Sequence, residues 1–289
     1  MSVSFKTQTD VDPTFEASSG RKGGGLGADQ TAPNALDGKH ELDSAQNLHE
    51  IEVLARLDVE ELNRKFTHAA PEAILDLAIS KLYAGQIALV SSFGAESAIL
   101  LHMAAQVDPF IPVIFVDTGK LFTETYDYRD QLIEKFGLMN VHSFQPEASR
   151  LASDDPDGTL WQRDVDHCCH IRKVLPFETA LSPFVAEISG RKRFQNEVRA
   201  DLGFFQSAGP RVKVNPLINW SAADLADYVK RHDLPRHPLV AKGYPSIGCA
   251  PCTSPVKPGE DPRAGRWRGA EKTECGIHFV DGKPVPINR

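Results

Sequence analysis

The sequence predicts an α/β fold in which a parallel, twisted sheet is covered by helices on both faces. Short apolar runs alternate along the chain with longer segments of helical periodicity, which is the pattern of strands joined by crossover helices. The first two runs, Ile87-Ala-Leu-Val90 and Val113-Ile-Phe-Val116, are apolar throughout, as in strands buried on both faces. With 289 residues, of which 41% are hydrophobic, the chain can bury the core of one main domain.

The predicted elements begin at about Leu48, where leucines recur at a loose spacing of three or four residues that is typical of a helix. A second helix fits residues 71–82, because Pro71 is tolerated in a first turn. Strands are predicted at 87–91, 113–117, 141–144 and 185–189, and helices at 95–105, 123–136 and 168–181. A last helix begins after Ser221, whose side chain suits an N-cap, with Asp224 in its first turn.

Composition divides the chain into three regions. Residues 1–45 are rich in Gly, Ser, Asp and Ala and cannot bury enough apolar surface to offset chain entropy, so we expect a disordered N-terminal extension. Residues 46–255 hold the predicted strands and helices and form the main domain. Residues 256–289 are rich in Gly, Pro and charged residues, which predicts a flexible C-terminal tail rather than a second domain.

Charge and hydropathy narrow the functional classes. The net charge of −7 argues against a nucleic-acid-binding protein, whereas an excess of Lys and Arg between Asp166 and Cys275 favours a local anionic ligand. No apolar run approaches the roughly 20 residues that cross a bilayer, so we expect no membrane association. The first residues are partly acidic and do not form a secretory signal, which predicts a cytoplasmic location.

A loop of mostly small residues lies between the first predicted strand and the helix that follows it. Small side chains let backbone N–H groups approach a phosphate, and the helix N-terminus adds partial positive charge. The loop lacks the Gly-Lys-Ser/Thr ending of a Walker loop, and an ordinary Gly/Ser turn is a competing interpretation. This phosphate loop consists of Ser91, Ser92, Phe93, Gly94, Ala95, Glu96 and Ser97.

Four of the five cysteines form two pairs, Cys168-Cys169 and Cys249-Ala-Pro-Cys252, and Cys275 stands apart. An odd number is a poor disulfide framework, whereas four thiolates can bind a [4Fe–4S] cluster or a tetrahedral zinc ion. Adjacent residues on a helix project about 100° apart, which suits two corners of a cluster better than one small ion. The pattern therefore predicts a [4Fe–4S] cluster, with zinc as the alternative.

Basic residues accompany the first cysteine pair. Arg172 and Lys173 follow Cys168 and Cys169 at i,i+4, so each basic side chain is predicted to share a helix face with a thiolate. A cation there can offset the charge of a cluster and still reach an anionic substrate. A solvated helix end is the competing interpretation.

Taken together, these motifs resemble the cluster-bearing adenylylsulfate reductases of the sulfonucleotide reductase family. The loop Ser92-Phe-Gly-Ala-Glu-Ser97 is similar to the phosphate loop of adenine nucleotide α-hydrolase-like proteins, and Val116-Asp-Thr-Gly119 to a segment that those reductases place near the nucleotide. Cys168-Cys-His-Ile-Arg-Lys173, the CxxC pair after Tyr244, and Glu274-Cys-Gly-Ile-His278 complete the set. The resemblance covers about residues 50–280.

The resemblance implies a role for each matching position. Cys168, Cys169, Cys249 and Cys252 would ligate the [4Fe–4S] cluster, and Cys275 would be the catalytic nucleophile. The implied substrate-binding residues are the seven of the phosphate loop together with Asp117, Thr118, Gly119, Arg172, Lys173, Lys192, Arg193, Arg199, Arg263, Arg266 and His278. Lys192 and Asn196 depart from the arginine loop that the family often carries.

The implied activity is reduction of adenosine 5′-phosphosulfate (APS) to sulfite and AMP, through a Cys275 S-sulfonate that thioredoxin or a similar dithiol resolves. The four cluster cysteines imply a substrate without a 3′-phosphate, because related phosphoadenylylsulfate (PAPS) reductases lack them. Three alternatives stay open: a PAPS or dual-specificity reductase, an ATP pyrophosphatase that thiolates tRNA, and a non-enzymatic zinc or iron–sulfur binding module. The sequence leaves the oligomeric state open, a homo-oligomer included.

Overall fold

The computed structural model describes residues 58–195, 199–269 and 272, together with the backbone of 279–280 and 283–284. The predicted N-terminal extension, Cys275 and His278 lie outside these residues. The α-helices are α1 Val59–Lys65, α2 Pro71–Asp76, α3 Ser97–Val107, α4 Thr123–Phe136, α5 Ala148–Asp154, α6 Leu160–Arg163, α7 Val165–Cys169, α8 Leu175–Leu181 and α9 Ala222–Arg231. The strands are β1 Ile87–Val90, β2 Val113–Val116, β3 Val141–Phe144, β4 Ala186–Ile188, β5 Phe205–Ala208, β6 Arg211–Val214, β7 Phe279–Val280 and β8 Lys283–Pro284.

Six strands form one sheet in the order β3-β2-β1-β4-β6-β5. β1 lies at the centre, where Leu89 is the register partner of Val113 on β2 and of Ile188 on β4. Neighbouring strands are parallel except for β5 and β6, which form an antiparallel hairpin at one edge. The four predicted strands, β1 to β4, are thus confirmed as parallel neighbours, and β5 and the parallel β6 are two strands that the sequence pattern did not predict.

Side chains of β1 alternate between two apolar layers, so the sheet is covered on both faces. Ile87 and Leu89 belong to the larger core, which also contains residues of α2, α3 and α4. Ala88 faces the other way, into a smaller cluster with Ile114 of β2 and Phe177 of α8. Because burying one Leu, Ile or Phe side chain contributes about 1.5–3 kcal/mol, these layers fix the helices to both sides of the sheet.

Capping interactions mark several helix ends, and the cap predicted at Ser221 is confirmed. Asp58 caps α1 by accepting a hydrogen bond from the N–H of Glu61 at 2.8 Å. Ser221 and Asp224 form a complete capping box at the start of α9, as the sequence predicts. α4 covers the predicted residues 123–136 and ends at Gly137, which has a φ of 62° that strains most other residues. No α-helix within the described ranges is both long enough and apolar enough to cross a membrane.

One continuous helical run carries the paired cysteines, and it differs from the regular helix predicted over 168–181. α7 leads into a π-helical turn at His170–Val174, and this turn leads into α8. A π turn pairs residue i with i+5 and is frequent at functional sites. The turn changes the regular spacing between the cysteines and the basic residues after them, although Arg172 still acts on Cys168 as predicted.

A buried ion pair joins β4 to β6. Lys213 Nζ lies 2.5 Å from Glu187 Oε1, and both side chains are only 2% exposed. The two residues are register partners on parallel strands, so the pair bridges the strands directly. A charged residue in the middle of a buried strand interrupts the apolar pattern, which is why the sequence did not predict β6.

Removing the cation of this pair is expected to destabilise the fold. Lys213→Met leaves the Glu187 carboxylate buried without its counterion, and such a loss typically costs about 3–5 kcal/mol of unfolding free energy. Urea denaturation measures the change. Glu187→Leu combined with Lys213→Met is expected to recover most of the loss, because no charge then stays buried.

The exposed pair of Arg64 and Glu61 provides the control for this experiment. Arg64→Ala is expected to change the unfolding free energy by less than about 1 kcal/mol, because water screens an exposed pair. A Lys213→Met loss no larger than that of Arg64→Ala would contradict the stabilising role of the buried pair.

Candidate active site

The carboxyl ends of β1, β2 and β4 border one cavity of about 530 Å³. Open α/β sheets bind their ligands at this edge, where loops diverge to either side. Apolar side chains such as Phe115, Phe177 and Leu217 form part of the wall, and serine, lysine and arginine side chains form the rest. A cavity with this mixture suits a ligand that has a planar apolar part and an anionic part.

The phosphate loop follows β1, and the buried side chain of Phe93 anchors it in the core. This side chain is fully buried and meets Phe115 edge to face, with ring centroids 5.3 Å apart. Phe93 has a φ of 48°, an unfavourable value for a bulky residue that its burial offsets. The Phe93 N–H donates to Ser91 Oγ at 3.1 Å, and the Ser97 N–H donates to the Gly94 carbonyl at 3.2 Å. Phe93 therefore anchors the loop, while the other six residues of the loop line the cavity.

Asp117 organises the segment that follows β2 and does not line the cavity. Its carboxylate accepts hydrogen bonds from the Tyr126 hydroxyl at 2.6 Å, the Gln145 amide at 3.0 Å and the Gly119 N–H at 2.9 Å. Burial raises the pKa of Asp117, but these hydrogen bonds outweigh burial and the pKa lies below its usual value. The bonds turn the chain so that Thr118 lines the cavity.

The four paired cysteines lie close enough to influence one another. Cys168, Cys169 and Cys249 are buried and Cys252 is half-buried. Burial, with the neighbouring Cys169 thiol, raises the pKa of Cys168 to about 12, and burial with Cys249 raises the pKa of Cys252 to about 11. Burial and the neighbouring sulfurs thus disfavour the thiolate form of these two cysteines.

Cys249 differs from Cys168 and Cys252. Burial raises the pKa of its thiol, but the charge of Lys173, a hydrogen bond with Thr118 and the charge of Arg266 outweigh burial and lower it. Thr118 Oγ1 lies 3.3 Å from Cys249 Sγ. The segment after β2 thus connects the cavity to the cysteines.

A single metal ion finds no ready site in this arrangement. Within the described residues, no group of three or more His, Cys, Asp and Glu side chains is arranged to hold a metal ion. The four cysteines thus lie near one another without forming such a group.

The basic residues after the cysteine pair have partners beyond those predicted. The charge of Arg172 acts on Cys168, as predicted, and works against the raising of its pKa by burial. Arg172 is buried and donates to Asp155 Oδ2 at 2.6 Å and to the Thr118 carbonyl at 2.9 Å. Lys173 lines the cavity and interacts with the thiol of Cys249, across from its own helix. Arg172 therefore holds the wall of the cavity together, and Lys173 connects the cavity to the CxxC pair.

Three cationic side chains lie over the ring of Trp267, beside the CxxC pair. Arg266 lies over its ring at 4.4 Å, Lys272 at 5.7 Å and Lys173 at 6.0 Å. The backbone N–H of Trp267 donates to the Cys252 carbonyl at 2.9 Å, and the residue is 4% exposed. The predicted C-terminal tail is thus packed against the CxxC pair at Arg266 and Trp267.

A second basic group lies at the phosphate-loop end of the cavity. Lys192 Nζ lies 2.5 Å from Glu96 Oε2, to which the Gln195 amide also donates at 3.0 Å. Arg199 donates to Gln195. Arg193 lies outside this group, because it donates to the Asn219 side chain and the Leu202 carbonyl.

The structure brings together most of the predicted substrate-binding residues that it describes. Those that line the cavity are Ser91, Ser92, Gly94, Ala95, Glu96, Ser97, Thr118, Lys173, Lys192, Arg199, Arg263 and Arg266. Those that support its walls without lining it are Phe93, Asp117, Gly119, Arg172 and Arg193. Cys275 and His278 lie outside the described residues.

Several lining residues were not predicted from the sequence. Ser189, Gly190 and Arg191 follow β4 directly, so the rule that ligands bind at the carboxyl ends of strands could have identified them. Arg191 is held by the side chains of Asn215 at 3.2 Å and Gln206 at 2.6 Å. No sequence signal indicated those two partners, because they depend on the unpredicted β5 and on the segment after β6.

Comparison with known proteins agrees with this geometry. A family model described as the phosphoadenosine phosphosulfate reductase domain matches residues 86–255. The chain is 52% identical over 226 residues to the adenosine 5′-phosphosulfate reductase of Chelativorans sp. (strain BNC1), and this match covers 78% of this chain and 92% of that protein. It is 42% identical over 225 residues to the phosphoadenosine 5′-phosphosulfate reductase of Gloeobacter violaceus, and this match covers 76% of this chain and 93% of that protein.

A solved structure shares the fold. The crystal structure of phosphoadenylyl-sulfate reductase from Candida auris, a phosphate complex, matches with a TM-score of 0.59 over 69% of this chain and 98% of that one. At 24% sequence identity this likeness establishes the fold alone. The family model and the sequence relatives go further: the chain belongs to the phosphoadenosine phosphosulfate reductase family.

Proposed function

We propose that the chain reduces APS to sulfite and AMP in sulfate assimilation. One observation carries the proposal: Lys173 and Arg266 line the cavity and also act on the thiol of Cys249. A phosphosulfate beside these two cations would have its charge compensated next to the cysteines. The 52% identity to an adenosine 5′-phosphosulfate reductase supports the same substrate.

The proposed reaction has two steps. The Cys275 thiolate forms a bond to the sulfate sulfur while the bond from that sulfur to the phosphate oxygen breaks, and its electron pair leaves with AMP. One thiolate of thioredoxin or a similar dithiol then attacks the Cys275 sulfur, and sulfite departs with the electron pair of the broken S–S bond. The second thiol of the donor attacks the mixed disulfide, which frees the Cys275 thiolate and leaves the donor as a disulfide. The two electrons that reduce the sulfur therefore come from the dithiol.

The described residues have distinct tasks in this scheme. The phosphate loop and Thr118 hold the adenylate, with Asp117 fixing the position of Thr118 through its hydrogen bonds. Lys173, Arg263 and Arg266 neutralise the phosphosulfate. Neutralising the leaving AMP and the transferred sulfonate lowers the barrier because the negative charge meets fixed positive groups in a part-enclosed cavity.

A [4Fe–4S] cluster fits the chemistry of the four paired cysteines. Four thiolates carry four negative charges, and the positive groups beside them, Lys173 and Arg266 among them, compensate for part of that charge. Cys168, Cys169, Cys249 and Cys252 would hold the cluster. When bound, it would order this end of the cavity and tune its charge.

The proposal assigns regions and partners as well. Residues 46–255 would form the nucleotide- and cluster-binding domain, and residues 256–289 the segment that carries the nucleophile. The electron donor would be thioredoxin or a similar dithiol, in the cytoplasm. Neither nucleic acid nor a membrane is needed for this reaction.

The deciding experiment is an assay of sulfite release from APS and from PAPS, with thioredoxin and its reductant present. We expect sulfite from APS at a rate well above that from PAPS. The protein should be prepared without oxygen, with iron, sulfide and zinc measured in the same sample. Release of pyrophosphate from ATP, with no sulfite from either nucleotide, would overturn the proposal.

The sulfate position can be tested through the three cations. Lys173→Ala, Arg263→Ala and Arg266→Ala each remove charge-assisted hydrogen bonds, which typically contribute about 1.5–3 kcal/mol each. APS affinity is therefore expected to fall roughly ten- to a hundredfold in each variant, by calorimetry. AMP affinity is expected to fall less, because AMP lacks the sulfate. Lys173→Ala and Arg266→Ala are also expected to alter the visible spectrum on substrate binding, because both residues act on Cys249, whereas Arg263→Ala is not.

Arg268→Ala is the matched control for these variants. Arg268 lies on the same segment as Arg266 but pairs with Glu260 at 2.9 Å outside the cavity, so both affinities are expected to stay unchanged. Equal losses for AMP and APS in all three test variants would show that the cations hold the adenylate or the fold instead of the phosphosulfate.

A further inference from the structure

Arg266 reaches the cavity from the C-terminal segment, and two neighbours hold its guanidinium group. The first is the ring of Trp267, whose centroid lies 4.4 Å from Arg266 Cζ. The second is the stretch of chain before the CxxC pair, where Arg266 Nη1 donates to the Ile247 carbonyl at 3.2 Å and to Ser246 Oγ at 3.4 Å. A side chain of one segment is thus placed in the cavity by the backbone of another.

Gly248 lies where the guanidinium group of Arg266 passes this backbone. A β-carbon at residue 248 would lie 2.6 Å from Arg266 Cζ and 3.0 Å from Nε, and closer still to Nη2. Non-bonded carbon atoms have their optimal separation at about 3.5–4.0 Å, so the guanidinium leaves no room for a side chain at this position. The φ of Gly248 lies outside the left-handed region, so alanine would clash with Arg266 without straining the backbone.

We propose that Gly248 is a positioning residue for Arg266, because its lack of a side chain lets the guanidinium group lie against the backbone of residues 246–248 and line the cavity. The inference rests on the proposed function, in which Arg266 binds the phosphosulfate. It adds a residue that acts on the substrate through another side chain.

The physical reason is the cost of orienting a flexible cation. An arginine side chain loses rotamer freedom when a ligand fixes it, and a side chain that is already held in place binds without that loss. The planar guanidinium donates paired hydrogen bonds, so its direction matters as well as its charge. A misplacement of about 1 Å can cost up to about a hundredfold in the rate of a reaction that depends on positioning.

Gly248→Ala tests the proposal. The three atoms nearest to the added β-carbon all belong to the end of the flexible Arg266 side chain, so we expect this side chain to move away while the fold is kept. APS affinity, measured by calorimetry, is expected to fall at least about fivefold. AMP affinity is expected to fall less, because AMP lacks the sulfate.

A double-mutant cycle shows whether the glycine acts through Arg266. In the Arg266→Ala protein there is no guanidinium to displace, so adding Gly248→Ala is expected to lower APS affinity further by less than about twofold. The matched control is the Arg268→Ala background. Arg268 lies on the same segment and donates to the Pro255 carbonyl at 3.2 Å, but it lies outside the cavity. Gly248→Ala is expected to keep its full effect there.

Unchanged APS affinity in Gly248→Ala would refute the positioning role. So would an equal loss in the Arg266→Ala background, because the glycine would then act on the ligand or the cysteine pair without Arg266. If Gly248→Ala does not fold, the double variant with Arg266→Ala is expected to fold, and failure of both to fold would also overturn the inference. Wild-type protein that releases no sulfite from APS would instead refute the proposed function.

Discussion

Cys249→Ser and Cys252→Ser are each expected to remove bound iron, acid-labile sulfide and sulfite release together. Cys249 is buried, and its thiol pKa is raised by burial but lowered overall by Lys173, Thr118 and Arg266, so the site favours a thiolate. A serine hydroxyl ionises far less readily and is a harder ligand than iron–sulfur clusters prefer. We expect the rate of sulfite release to fall at least about a hundredfold. Loss of one cysteine ligand is expected to prevent cluster binding, and the cluster is proposed to order this end of the cavity.

The measurements are iron and sulfide content, the visible spectrum and sulfite release on the same anaerobic preparation. Cys275→Ser serves as the cysteine-to-serine control, because Cys275 is not among the four proposed ligands. Stoichiometric zinc in an active wild-type sample would contradict the cluster proposal. So would a Cys249→Ser protein that keeps its iron and its spectrum.

Local signals allowed much of the fold to be predicted from the sequence. The strands at β1, β2 and β3 are short runs between helices, and the capping signals at Ser221 and Gly137 mark helix boundaries. These signals depend only on residues that are close together in the chain, so they can be recognised in a single sequence. The phosphate loop was predicted to bind at the carboxyl edge of the sheet, and Thr118 was predicted to share that site because Val116-Asp-Thr-Gly119 resembles a family segment near the nucleotide.

The unpredicted parts depend on contacts between residues far apart in the chain. In the sequence, Lys213 of β6 suggests a solvent-exposed position. In the structure it is buried because it pairs with Glu187 of β4, which is distant in the chain. Asp117 was predicted to bind the substrate, yet its carboxylate is used by Tyr126 and Gln145. A motif identifies which residues matter at a site, but the surrounding fold decides which of their atoms face the ligand.

The cysteine helix shows the same limit on a smaller scale. A regular helix would place Lys173 over Cys169, one turn away, whereas the chain takes a π turn at His170–Val174. Lys173 acts on Cys249 and Cys252 of the other pair. The sequence thus predicted a cation beside the first cysteine pair, and the structure shows that it also acts on the second.

Cys275→Ser is expected to abolish sulfite release while leaving the iron content and the cluster spectrum unchanged. The proposed nucleophile attacks sulfur as a thiolate, and a serine hydroxyl at neutral pH offers almost no alkoxide. Loss of a covalent nucleophile lowers turnover by several orders of magnitude, so we expect a decrease of at least about 10⁴-fold. APS affinity is expected to change little, because Lys173, Arg263 and Arg266 remain in place.

The intermediate itself gives a direct measurement that does not depend on turnover. Wild-type protein incubated with APS, but without thioredoxin or another thiol, is expected to stop after one AMP per site and to carry a sulfonate on Cys275. Mass spectrometry of the peptide that contains Cys275 detects this adduct, and reduced thioredoxin should then release it as sulfite. The Cys275→Ser protein should release neither AMP nor sulfite under the same conditions. A sulfonate on Cys168, Cys169, Cys249 or Cys252, or AMP release by Cys275→Ser at the wild-type rate, would move the nucleophile into the cysteine group and leave Cys275 without the proposed role.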